Sequence, residues 1–273
     1  MSLQAIDHAV IICPDLAHAC SAYVRYLDQV IFREEPLNVD FARKLGLTGM
    51  DAAPSAWLGV AGQPPWLLLV QSAHAKVPAP FERAGWMALE IAVGDVDVLA
   101  PSLLGSPFRM IAEPKDLDFS DAIRAMQVHG PAGEVLYLTQ IKRPVPPFRL
   151  PQTKLRVDGP FVAVLGCIDS GTASAFYLGL GADRRLRFDT RLGALNNARG
   201  LAPETQHKVA TVELIDGHLL EIDAPSCALA PAMQIDGSDA GIACVALSRV
   251  GAGELRVLRG VASEVLALQP STR

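Results

Sequence analysis

The stretch IDHAVIICPDLAHACSAYVRYLDQVIFREE, residues 6–35, decides the fold. Ile6, Val10, Ile11 and Ile12 make residues 4–13 read as a strand, and Pro14 stops it because proline fixes φ and has no N–H. Asp15 then suits a helix N-cap, where its carboxylate accepts an orphan backbone N–H. Leu16, Ala19, Cys20, Tyr23 and Leu27 follow at helical spacing and form one apolar stripe. Residues 29–33 read as a second strand, VDFARKLG (39–46) as a short helix closed by Gly46, and residues 55–61 and 65–71 as two more strands. The order is strand, helix, three strands.

That order repeats. WMALEIAV (86–93) is a strand, VDVLAPSLLG (96–105) a short helix, and strands begin near Phe108, Ala122 and Gly133. The segment KRPVPPFRLPQTKLRVDGP (142–160) carries five prolines and reads as a semi-rigid connector. After it the opening recurs at an offset of 154, with Asp15 falling on Asp169 and Tyr23 on Tyr177. LNNARGLAP (195–203) resembles residues 38–49, and KVATVELIDGHLLEIDAP (208–225) resembles the paired strands ending at 69–71. Matches at nearly constant offset argue duplication. A fourth unit runs from GIACVALSRV (241–250) to SEVLALQ (263–269), with little room for a helix. The organisation expected is an N-terminal pair over 1–143 (about 1–75 and 84–143), a linker over 144–160, and a C-terminal pair over 161–273 (about 161–226 and 232–273).

Composition narrows the function classes. The chain has 273 residues, of which 50% are hydrophobic and 19% charged, so disorder is not expected. A net charge of −5 without basic or acidic runs excludes nucleic acid and anionic membranes as expected partners. No apolar stretch approaches a membrane span, and no secretory signal is visible. Five widely spaced cysteines without a CxxC fit a reducing cytoplasm. No GxSxG, P-loop or dinucleotide glycine fingerprint occurs.

The pattern I-D-H-x-x-I-x-x-P-D-L, a helix ending near Y-x-x-x-L and three strands resembles the vicinal oxygen chelate superfamily, which includes glyoxalase I, bleomycin-resistance proteins and extradiol dioxygenases. The resemblance is strongest over 6–33, clear over 85–140 and 161–225, and weak after 240. It implies an α+β fold of tandem βαβββ modules, in two pairs whose sheets curl into open barrels, the last module truncated. It further implies a small-molecule partner, a homodimer as a permitted assembly, and a divalent metal (Fe, Mn, Zn or Ni) held by the first and last strands of paired modules.

Ligand positions carried over by that resemblance are mostly unfilled. The first-strand position, seven residues before the helix-capping Asp, holds His8 in module one, Ala88 in module two and Val162 in module three. The last-strand position falls near Leu69, on Tyr137, on Glu221 and on Ala267. Glu90 and Gln71 lie two residues beyond Ala88 and Leu69 and share their strand faces. Candidate metal ligands are therefore His8, Glu90 and Tyr137, with Glu221 in the second half. Glu90 and Tyr137 are the catalytic candidates, and Gln71, Trp66 and Trp86 the ligand-binding ones. Two functions follow: a metal-dependent dioxygenase- or glyoxalase-like enzyme acting on an oxygen-rich or aromatic compound, or a metal-free cavity protein that binds an aromatic or amphipathic ligand. A third, metal-free acid/base work by Glu90 or Tyr137, stays open beside them.

Overall fold

The computed structural model describes residues 2–118 and 120–271. Module one contains β1 (Leu3–Cys13), α1 (Leu16–Leu27), β2 (Val30–Pro36), α2 (Val39–Leu45), β3 (Pro54–Gly59) and β4 (Leu67–Gln71). Asp15 caps α1 by accepting the His18 N–H at 2.9 Å, and the stripe residues Ala19, Cys20, Tyr23 and Leu27 are buried. Gly46 ends α2 at φ 78°, a conformation that a Cβ disfavours. Module two contains β5 (Gly85–Val93), α3 (Val96–Leu99) running into a 3-10 turn, β6 (Arg109–Leu117), β7 (Ser120–His129) and β8 (Val135–Ile141).

Module three contains β9 (Val157–Gly166), α4 (Ser170–Gly179), β10 (Arg184–Arg191), α5 (Gly193–Ala198), β11 (Gln206–Glu213) and β12 (Leu219–Ala224). Module four is truncated as expected. Its described residues form only β13 (Gly241–Arg249), β14 (Arg256–Arg259) and β15 (Val265–Pro270), with no helix between them.

In every module the last strand lies parallel beside the first: β1 with β4, β5 with β8, β9 with β12, and β13 with β15. The strands form two sheets, ordered β14-β15-β13-β1-β4-β3-β2 and β10-β11-β12-β9-β5-β8-β7-β6. Two module pairs are present, but their membership corrects the expectation that sequence neighbours share a sheet. Module one joins module four through antiparallel β1 and β13, and module two joins module three through antiparallel β5 and β9. All four first strands carry the same apolar pattern, so pattern alone cannot say which of them meet.

The proline-rich segment also does more than separate halves. Its last residues, from Val157, belong to β9, and its Val145, Phe148 and Leu150 pack onto the eight-stranded sheet. Burying those side chains folds the connector back onto the sheet, rather than leaving it extended in water.

One face of each sheet shares a central core with α1, α3 and α4. The opposite faces form two hollows. The seven-stranded hollow is filled by Val10, Ile12, Leu68, Val70, Ala246 and Ala267, plugged by Leu37, Ala42, Leu45 and Met50. The eight-stranded hollow has an apolar lining as well, from Ala88, Val135, Phe161, Val162, Val164 and Leu195. Only the second also carries acidic side chains on its central strands.

Candidate functional site

Strand alternation places the acids. On β12, Leu220, Ile222 and Ala224 point into the central core, so Glu221 and Asp223 point into the eight-stranded hollow. On β5, Leu89 and Ile91 face the core and Glu90 faces the hollow; on β8, Leu136 and Leu138 do so and Tyr137 and Thr139 face the hollow. Glu90 stands opposite Tyr137 on one side and Val162 on the other, and Glu221 stands opposite Val164.

Burial shows where the hollow is open. Glu90 is the only residue of β5 that is not fully buried, and Glu221 the only one of β12. Tyr137 is likewise half-buried on β8. A half-exposed side chain in the middle of an interior strand requires accessible space above it. Phe81 borders that space, its ring 6.2 Å from the Tyr137 ring in an edge-on arrangement.

The electrostatics are those of carboxyls short of water and of positive charge. Burial, then the negative charge of Glu221, pushes Glu90 up to about 8, partly offset by the Thr139 hydroxyl, which donates to Glu90 Oε1 at 2.6 Å. Burial raises Glu221 to about 7. Asp223 is raised well above the ordinary carboxylate range by burial and by Glu221. Tyr137 is raised well above its usual value by burial, then by Asp223, Glu221 and Glu90. Near neutral pH the group therefore retains protons that ordinary carboxyls would have lost.

Glu90, Tyr137 and Glu221 thus meet in one site, although the sequence distributes them between the two halves of the chain. Asp223 and Thr139 join them, and neither is among the residues that the sequence singles out; both stand on interior strands. The two-residue spacing of Glu221 and Asp223 in an apolar strand was the available signal.

The remaining candidates stand elsewhere. His8 faces the other hollow, on the other sheet from Glu90, opposite Ala246. It is 4% exposed, with Nδ1 2.8 Å from Asp7 Oδ2, its ring edge-on to Trp57 at 5.1 Å and near Phe41 at 6.4 Å. Gln71 faces the core side, where its Oε1 accepts the Leu16 N–H at the start of α1 at 3.3 Å. Trp66 is buried in the central core and donates to Gln29 Oε1 at 2.8 Å; Trp86 is also buried there and donates to the Val265 carbonyl at 2.8 Å. All three spend their polar groups on structure: Gln71 is turned to the core side by strand alternation, Trp86 by the register shift between it and Ala88, and Trp66 stands just before β4.

The metal expectation fails on donor geometry. Among the described residues no three His, Cys, Asp or Glu side chains gather in a group that could hold an ion. His8 has only apolar residues at the neighbouring ligand positions, and Glu90 is already bonded to Thr139. The side chains present do not fit the centre that the resemblance implies.

Four βαβββ-type modules in two curled sheets define a tandem-module α+β protein. No family model and no curated protein matches the chain. Solved structures do. A candidate dioxygenase from Bacillus subtilis superposes with a TM-score of 0.63 at 11% identity, covering 100% of this chain and 86% of its own. Glyoxalase I from Zea mays superposes with a TM-score of 0.61 at 16% identity, covering 97% and 91%. The chain shares the fold of these two structures, which is the fold that the sequence resemblance implies. At these identities the likeness concerns the fold alone.

Proposed function

We propose that the eight-stranded hollow is the working site of a small-molecule enzyme, in which Glu90 and Glu221 exchange a proton with the ligand. The carrying observation is that the partly buried residues Glu90, Glu221 and Tyr137 face one hollow from three interior strands. Glu90 at about 8 is an acid at neutral pH, while Glu221 at about 7 is divided between its two forms. Such a pair supplies both a donor and an acceptor close to the working pH. The Thr139 hydroxyl holds Glu90 in place, and the Tyr137 hydroxyl is a further donor that stays protonated.

This departs from the metal-dependent mechanism of the resemblance and keeps its substrate scale. A thermal-shift screen of aromatic and natural-product compounds, followed by turnover assays on the hits, tests it. Glu90→Gln and Glu221→Gln are expected to lower turnover by about 10²–10⁴-fold. Full turnover in both variants removes the proposal.

A metal-free binding protein is the second reading, favoured by the apolar lining around the acids. The same variants separate the two. Sequestration predicts tight binding and no product with wild-type protein.

A further inference from the structure

Three carboxyl side chains face the hollow, and among the described residues no lysine or arginine pairs with them. The ion pairs among the described residues involve other acids: Asp239 is paired with Arg83, and Glu213 with Arg149 and Arg184. The other two buried glutamates, Glu134 and Glu264, each accept a tyrosine hydroxyl. Burial, neighbouring acids and the Thr139 hydroxyl are what move Glu90, Glu221 and Asp223; no lysine or arginine contributes. Among the described residues, the fully buried acids other than Asp223 each have an arginine or a tyrosine hydroxyl as partner.

Asp223 is the independent sign. It is 0% exposed, and neither carboxyl oxygen has a hydrogen-bond partner. Buried polar groups are almost always satisfied, so an orphan of this kind calls for a missing partner. Its direction is set by its strand: Ile222 and Ala224 face the core, and Asp223 faces the hollow beside Glu221.

We infer that the ligand of this hollow carries a cationic nitrogen (an amine, a guanidine or a protonated heteroaromatic ring) on an apolar body, with its N–H groups donating to Asp223 and Glu221. The inference rests on the hollow being the working site. Charge-assisted hydrogen bonds satisfy the orphan oxygens, the half-exposed Tyr137 ring offers a cation–π face, and Val162, Val164 and Ala88 receive the apolar body. An anionic ligand finds carboxyl groups here and, among the described residues, no lysine or arginine paired with them.

Shape-matched triplets of amine, alcohol and carboxylate on one aryl-alkyl body test this, the smallest being phenethylamine, phenethyl alcohol and phenylacetate. Binding is read by calorimetry and thermal shift. The amine is expected to bind at least about tenfold more tightly than the alcohol, with the carboxylate weakest. Asp223→Asn and Glu221→Gln are expected to remove that advantage and leave the alcohol unchanged. Alcohol or carboxylate binding to wild-type protein as tightly as the amine overturns the inference without any variant. If Val162→Trp, which fills the hollow, abolishes that charge-blind binding, the site itself stands. If no member of any triplet binds, the working-site reading falls as well. Saturable binding of Mn2+ or Zn2+ alone that is lost in Asp223→Asn replaces the organic cation with a metal.

Discussion

Tyr23 of α1 donates its hydroxyl to Glu134 Oε1 at 2.7 Å, and 154 residues further on Tyr177 of α4 donates to Glu264 Oε1 at the same distance. In both places the second carboxyl oxygen accepts a backbone N–H at 2.9 Å, from Ala132 and Ala262. Each clasp joins the helix of one module to the last turn of the next. Sequence neighbours are thus held together through the core, while distant modules share the sheets.

Those clasps should be costly to break. Tyr23→Phe and Tyr177→Phe leave a buried carboxyl one partner short, and each is expected to destabilise by about 1–3 kcal/mol in chemical denaturation. Gly130→Ala and Gly260→Ala should cost at least as much, because an added Cβ would overlap the Glu134 or Glu264 carboxyl. Wild-type stability in these variants would show the clasps to be incidental.

Stability should fall as pH rises from about 5 to about 8. Glu134 and Glu221 are raised to about 7 and Glu90 to about 8, chiefly by burial, from an ordinary value of 4.5. A raised carboxyl favours the fold fully below its unfolded pKa and loses that contribution as pH climbs through its folded one. Each group contributes on the order of 2 kcal/mol to the decline. The acids held below the ordinary value, Asp97, Asp116, Asp118, Asp169 and Asp236, act oppositely and weaken the fold in stronger acid. A maximum near pH 5 is expected in denaturation curves, with a flatter alkaline limb in Glu134→Gln. A curve still rising between pH 6 and 8 contradicts this.

His8 should be dispensable. Its Nε2 is buried without a hydrogen-bond partner, against Trp57 and Phe41. His8→Leu removes that orphan at similar volume, so the expected change in stability is within about 1 kcal/mol in either direction. Turnover and ligand binding should stay at wild-type levels. A loss of function would return the seven-stranded hollow to consideration.

Metal removal should be silent. The acids of the eight-stranded hollow and His8 lie on different sheets, and among the described residues no three donors gather in a group that could hold an ion. Chelator treatment is expected to leave the melting temperature and any ligand binding unchanged, and protein purified without chelator to carry less than about 0.1 equivalent of Fe, Mn, Ni or Zn. Stoichiometric metal, or a chelator-sensitive melting curve, refutes it.

What the sequence determined by itself is local. Pro14, the Asp15 cap and the Tyr23/Leu27 stripe specified strand, stop and helix, because turn chemistry and periodicity act within a few residues. The repeat at 154 residues specified the modules, and the short fourth unit its missing helix. Glu90 was visible as a carboxylate in an apolar strand, where solitary burial is unfavourable. His8 was equally visible and stands in the other hollow. The tertiary structure alone decided the partnerships. Which first strands meet depends on edge hydrogen bonding between segments far apart in the chain, and four nearly identical apolar patterns cannot encode that choice. Pairing module two with module three brought Glu90 and Tyr137 to Glu221 and Asp223. Pairing module one with module four left His8 opposite Ala246, among apolar neighbours.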